Sequence, residues 1–193
     1  MKKIIYVLSL LFLTSINIKG QAVGDSVIIQ AFKQGRAGNC ASVSVIKAAI
    51  ATFGFSSIFE KIDTFSDSYH IHFRDGDTLI LFKNEESVMA NLDKFDTVEH
   101  NTKMPKNDSI ILSQAKFLYA VMAKNSCRLN GYKTIKKAAT HGAFSHKWLA
   151  KDTKDNIVLL GLKDNYKEIP VNKGAPDVLN KVIVCNNKHS AFC

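Results

Sequence analysis

The chain has 193 residues, 46% of them hydrophobic and 22% charged, with four cysteines, three prolines and a formal net charge of +9. That apolar content excludes an intrinsically disordered chain, and ten glycines and four cysteines are too few for a collagen-like or a disulfide-dense mini-protein. One compact domain is the expectation at this length.

Lys2 and Lys3 precede an apolar run over residues 4–13, followed by Thr14, Ser15 and a polar stretch ending in Gly20-Gln21-Ala22. This order of charged, apolar and small residues is that of a secretory signal peptide, and the run is shorter than the roughly 20 residues of a membrane span. Residues 1–20 are therefore expected to be removed on export, leaving residues 21–193 as a secreted or periplasmic domain with no stable membrane anchor. Loss of Lys2, Lys3 and Lys19 lowers the basic count from 26 to 23 against 17 acids, a net charge of +6. The remaining basic residues are scattered among Asp and Asn without a run of five or six like charges, which argues against a nucleic-acid partner.

After the leader, residues 30–40 form a glycine-punctuated loop. Val43, Ile46, Ala49, Ile50 and Phe53 then recur at helical spacing, which predicts a helix over residues 40–52 with Asn39 as N-cap and Gly54 as terminator. Its apolar and alanine-rich character, broken only by Lys47 and small hydroxyls, predicts burial on most sides. Tyr69, Ile71 and Phe73 alternate with His70, His72 and Arg74 before Asp75-Gly76, and an apolar strand resumes over residues 79–82, a hairpin pattern. A short helix is expected from Asn84 to about residue 95, and a longer one from Asp108 or Ser109 to about Lys124, with Ile111, Ala115, Leu118 and Met122 as its apolar stripe. A helical piece over residues 134–140, a buried strand over 157–162 and a closing hairpin built from 182–185 and 189–193 complete the chain. The fold class read from this order is α+β, with a central helix packed against a late antiparallel sheet.

Cys40 sits in the first turn of the buried helix. A helix N-terminus presents free N–H groups and the positive end of its dipole, both of which favour a thiolate. Gln34 lies six residues upstream, and a side-chain amide paired with the nucleophile's own backbone N–H can stabilise the oxyanion of acyl transfer. Gln34, Gly35, Gly38 and Cys40 together spell Q-G-x-x-G-x-C, which resembles the papain-like cysteine peptidases. The resemblance implies that Gln34 serves the oxyanion hole, that the glycines let the loop bend close to substrate, and that Cys40 is the nucleophile. Ala41 stands where papain and calpain relatives usually carry tryptophan. The hairpin through Asp75-Gly76, and the helix containing Lys116, Tyr119, Ala120 and Lys124 with Gly131-Tyr132 after it, are similar to segments that follow the nucleophile helix in calpain-type domains.

A cysteine nucleophile needs a base that later protonates the leaving amine, and histidine titrates in the useful range. Lys188-His189-Ser190-Ala191-Phe192 resembles the calpain segment in which a histidine begins a late strand, so His189 is the expected partner. His146 is the runner-up, and His141 reads as a helix-end residue. Only four residues follow His189, and none can orient its ring. That leaves a Cys/His dyad, recruitment of Asn165 or Asn172, or a papain-like binding or inhibitory module without turnover. A bacteriocin-type leader peptidase shares the Gln/Cys spacing, but Cys40 and His189 stand 149 positions apart, which favours the papain-like order.

His70 and His72 fall on one face of a predicted strand without a third ligand, no cysteines stand in C-x-x-C spacing, and no acidic calcium set is recognisable. No metal and no cofactor are therefore expected, and the implied partner is a peptide or protein substrate. Cys127, Cys185 and Cys193 leave one thiol unpaired after a single disulfide, and the sequence does not choose the pair.

Overall fold

The computed structural model describes residues 4–7, 25–34, 39–90, 95, 106–141, 153–170, 182–185 and 190–192. In chain order the elements are β1 (Ile4–Val7), α1 (Asp25–Ala31), α2 (Cys40–Phe53), a 3-10 turn (Phe55–Ser57), β2 (Lys61–Thr64), β3 (Ser68–His72) and β4 (Thr78–Phe82). These are followed by α3 (Lys83–Ala90), α4 (Lys106–Asn130), α5 (Ile135–His141), α6 (Thr153–Leu159), β5 (Lys167–Pro170), β6 (Val182–Cys185) and β7 (Ser190–Phe192).

The expected α+β class holds. One antiparallel sheet has the order β2-β3-β4, and a second has the order β5-β1-β6-β7 with every neighbouring pair antiparallel. α2 is the central helix. Residues 40–50 of it are all buried, and it touches α1, α4, α6, β6 and β7. A helix buried around its whole circumference has no solvent face, and small residues such as Ala41, Ala48 and Ala49 let neighbours approach closely. It stops at Gly54, whose φ of +66° suits a residue without Cβ and whose N–H donates to the Ile50 carbonyl at 2.9 Å.

α4 is the second long core element. Its expected stripe of Ile111, Ala115, Leu118 and Met122 is buried, but residues 117–123 are all buried, in a helix that packs against α1, α2, α3, α5, α6 and β4. The helix also runs one and a half turns past Lys124. Asn125 and Ser126 are buried there, and the Asn125 amide donates to the Leu159 carbonyl at 3.0 Å, so polar residues that read as a helix end are paired inside the fold. Gly131, with φ +71°, follows the last turn.

The expected β3–β4 hairpin forms, with Ile71 opposite Leu79 and His70 opposite Ile80. Ile71, Leu79 and Leu81 point into the core, while Ile80 and Phe82 remain exposed. The expected elements do not include β1, α1, the 3-10 turn, β2 or β5. Lys61-Ile62-Asp63-Thr64 has too little apolar alternation to announce β2, and the β-branched Val27, Ile28 and Ile29 masked α1. α3 covers Lys83–Ala90, and residues 91–94, over which the expected helix would continue, lie outside the described residues.

The strand expected over residues 157–162 is a correction. Thr153–Leu159 is helical, and the chain then turns sharply, with the Leu160 and Leu162 N–H groups donating to the Ile157 carbonyl and the Gly161 N–H to the Val158 carbonyl. An apolar run this short has no period that separates strand from buried helix, and Gly161, at φ +68°, is the helix stop that decides it.

Ile4–Val7 falls within the stretch expected to be removed on export. In the full chain it lies between β5 and β6, with Ile5 opposite Ile169 on one side and Val184 on the other.

Candidate functional site

Cys40 is the first residue of α2, and its thiol is free and 4% exposed. Asn39 occupies the expected cap position at φ −97° and ψ 30°, but its side chain makes no capping hydrogen bond; its carbonyl takes the first helical bond, from the Val43 N–H at 3.0 Å. No acid lies in the first turn. The N–H groups of Cys40, Ala41 and Ser42 have no carbonyl one turn earlier in the helix, so the positive end of the helix dipole stands at the thiol without a neighbouring carboxylate in that turn to offset it.

Two buried hydroxyls fix this turn. Ser44 donates to the Cys40 carbonyl at 2.8 Å, and Ser42 donates across to Asn156 Oδ1 of α6 at 2.9 Å. The second bond joins residues 114 apart in sequence, so α6 holds the N-terminal end of α2 from one side.

Gln34 is half-buried, three residues beyond the end of α1, which packs on α2 and α4. The segment leading to it is held by Lys47, two turns along α2 from Cys40. Lys47 Nζ donates to the Ile29 carbonyl at 2.7 Å and sits 4.8 Å from the centroid of the Phe32 ring. Phe32 itself is fully buried and packs on Phe95, with ring centroids 5.3 Å apart. Burial pushes the Lys47 amine down to about 8, because a charged group surrounded by α1, Phe32 and the body of α2 loses much of its hydration.

His189 lies outside the described residues, as do Gly35, Gly38, His146, Asn172 and Cys193. β7 begins at the next residue, Ser190, which is paired opposite Cys185 of β6, and β7 packs against α2. The fold therefore brings onto one helix the segment carrying Gln34 and the strand that follows His189. His141 ends α5. Asn165 is half-buried in the turn after α6, where its N–H donates to the Leu162 carbonyl at 2.9 Å.

The remaining candidates have structural partners. His72 Nε2 lies 3.2 Å from Asp63 Oδ2, and the Lys61 amine lies 2.8 Å from Asp63 Oδ1. The Lys61 hydrogen bond, aided by His72, holds the Asp63 carboxyl below the usual range. His70 stacks on Phe65 at 4.4 Å. Among the described residues, no group of three or more His, Cys, Asp or Glu side chains could hold a metal ion. No described helix is long and apolar enough to cross a membrane. Cys127 carries a free thiol, pushed up by burial on α4.

Sequence reasoning named Cys40 and Gln34 but gave no role to Lys47, Ser42 or Asn156. A lysine inside an otherwise apolar and hydroxyl-bearing helix was the legible signal for the first; nothing local pairs Ser42 with a residue on α6. Comparison with protein-family models, curated proteins and solved structures gives no match to this chain.

Proposed function

We propose that the domain is a papain-like thiol hydrolase, exported by its N-terminal segment and acting on peptide bonds through Cys40, His189 and Gln34. The observation that carries this reading is that β7, the strand beginning one residue after His189, packs against the helix that Cys40 opens. In the mechanism, His189 takes the thiol proton and the Cys40 sulfur attacks the peptide carbonyl. The oxyanion is held by the Gln34 amide and the Cys40 backbone N–H, which has no intrahelical acceptor. His189 then returns its proton to the leaving amine, and water releases the acyl group from sulfur.

A second reading, a papain-like binding or inhibitory module without turnover, draws on the 4% exposure of Cys40. A substrate carbonyl reaches a thiol so enclosed only after the surface above it opens. Labelling with a peptidyl epoxide separates the two. A hydrolase reacts at Cys40 with a pH-dependent rate, cleaves peptides, and loses cleavage in Cys40→Ala and His189→Ala. Unaltered cleavage in either variant removes that residue from the mechanism, and absence of any site-specific labelling or cleavage favours the binding module.

A further inference from the structure

Lys47 is an expensive residue for its position. It is 7% exposed within a helix whose neighbouring positions are filled by Val45, Ile46, Ala48 and Ala49, where an apolar side chain would avoid burying an amine. Its contacts all point one way. The amine grips the Ile29 carbonyl in the last turn of α1, one of the four terminal carbonyls that a helix leaves without an internal donor, and it lies over the ring of Phe32. Those two residues stand five and two positions before Gln34. On α2, Lys47 is seven residues after Cys40, which returns it to the same side of the helix. One side chain thus spans from the helix that begins with the thiol to the segment that ends in the amide.

The geometry points to Lys47 as the positioning residue that sets the Gln34 amide against the first turn of α2. A methionine of similar length would fill the space, but it has no directional bond to stop α1 from sliding or rotating along α2. An oxyanion donor displaced by about an ångström loses most of its worth, because preorganisation at the developing charge is what makes it effective. Lys47 touches no reacting atom and acts through the Ile29 carbonyl and Phe32.

This inference rests on the hydrolase reading, and its test keeps the two apart. The full chain is compared with Lys47→Met, Gln34→Ala and the double variant in peptide cleavage. Loss of an oxyanion donor costs about 10²- to 10³-fold in kcat; Gln34→Ala is expected in that range, Lys47→Met about tenfold or more down in kcat with KM within about twofold. The double variant is then no slower than Gln34→Ala alone, since Lys47 has nothing left to position. Effects that multiply instead overturn the proposal, because a lysine that merely stabilises the fold acts independently of Gln34. Lys47→Gln, which keeps an N–H donor on a shorter stem, recovers part of the loss and serves as the second variant if Lys47→Met fails to fold. Amide exchange at Lys33 and Gln34 decides the matter without any activity. Faster exchange in Lys47→Met, with the rest of α2 unchanged, supports the clamp, and unchanged exchange overturns it. A wild-type chain with no cleavage and no labelling at Cys40 defeats the hydrolase reading alone, and the exchange result still judges Lys47.

Discussion

Stability of the protein should rise with pH through the alkaline range in a way that depends on Lys47. Its amine ionises at about 8 in the folded chain, against 10.5 for an ordinary lysine, and the cause is burial. Between those values the unfolded chain still holds a proton that the native chain has released, so unfolding takes up a proton and becomes less favourable as pH rises. Below pH 8 both states are protonated and the native state carries the full cost of a buried cation; above 10.5 neither does. The interval corresponds to about 3 kcal/mol at 1.36 kcal/mol per tenfold step, and water that still reaches part of the amine reduces this to about 1–2 kcal/mol. The hydrogen bond to the Ile29 carbonyl survives deprotonation, because a neutral amine still donates, so it does not cancel the trend. The assay is urea unfolding of wild type and Lys47→Met from pH 7 to 10.5. Tyrosines, thiols and the other lysines titrate in both proteins and drop out of the difference. Wild type should gain about 1–2 kcal/mol on the variant between pH 8 and 10.5, with similar denaturant slopes. Parallel stability curves would refute the argument, since they would mean that the amine is hydrated in the native state.

Three further outcomes follow from the packing. Gly161→Ala places a Cβ 2.5 Å from the Phe73 Cβ at a backbone φ of +68°, and should cost about 2–4 kcal/mol from left-handed strain and overpacking, measured by denaturant midpoint. Ser42→Ala removes the donor to Asn156 and should destabilise by about 1–2 kcal/mol, with a loss near zero showing that the α2–α6 bond is not made in solution. A chain starting at residue 21 lacks β1, so amide exchange over residues 167–170 and 182–185 should speed up relative to the full chain; equal protection in both chains would mean that β5 and β6 do not depend on that strand.

The parts of the fold that could be read from the sequence are those whose side chains announce their own period. α2 is legible because its apolar residues recur around a helix bounded by Asn39 and Gly54, and the β3–β4 hairpin because alternating Tyr69, Ile71 and Phe73 meet an Asp-Gly turn. The elements that escaped are held by distant partners. β2 has one sizeable apolar residue, Ile62, and owes its strand form to pairing with β3. Residues 157–162 contain enough apolar side chains for either a strand or a helix, and the choice falls to Gly161 and to Asn125, whose side chain accepts from Arg128 within its own helix and donates to the Leu159 carbonyl 34 residues away. At the candidate site the same division holds. Gln34 and Cys40 form a local motif, whereas the tie between Lys47 and Ile29 joins two helices and has no expression in spacing alone.

That division bears on how such a site is assembled during folding. Gln34 and Cys40 are six residues apart, and the docking of α1, the helix before Gln34, on α2 is an event of short loop closure. The β6–β7 hairpin arrives from the other end of the chain, and its docking on α2 closes a loop of about 140 residues, at an entropic cost that the burial of Ile183 and the partial burial of Phe192 help to offset. The oxyanion side of the proposed site is therefore built on local contacts, and the base side on distant ones. Damage to the hairpin should separate the two functions. On the proposed mechanism, damage there withdraws β7 from α2 while the Lys47 bond to the Ile29 carbonyl remains, so the oxyanion donors would stay in place and the proton acceptor would be lost.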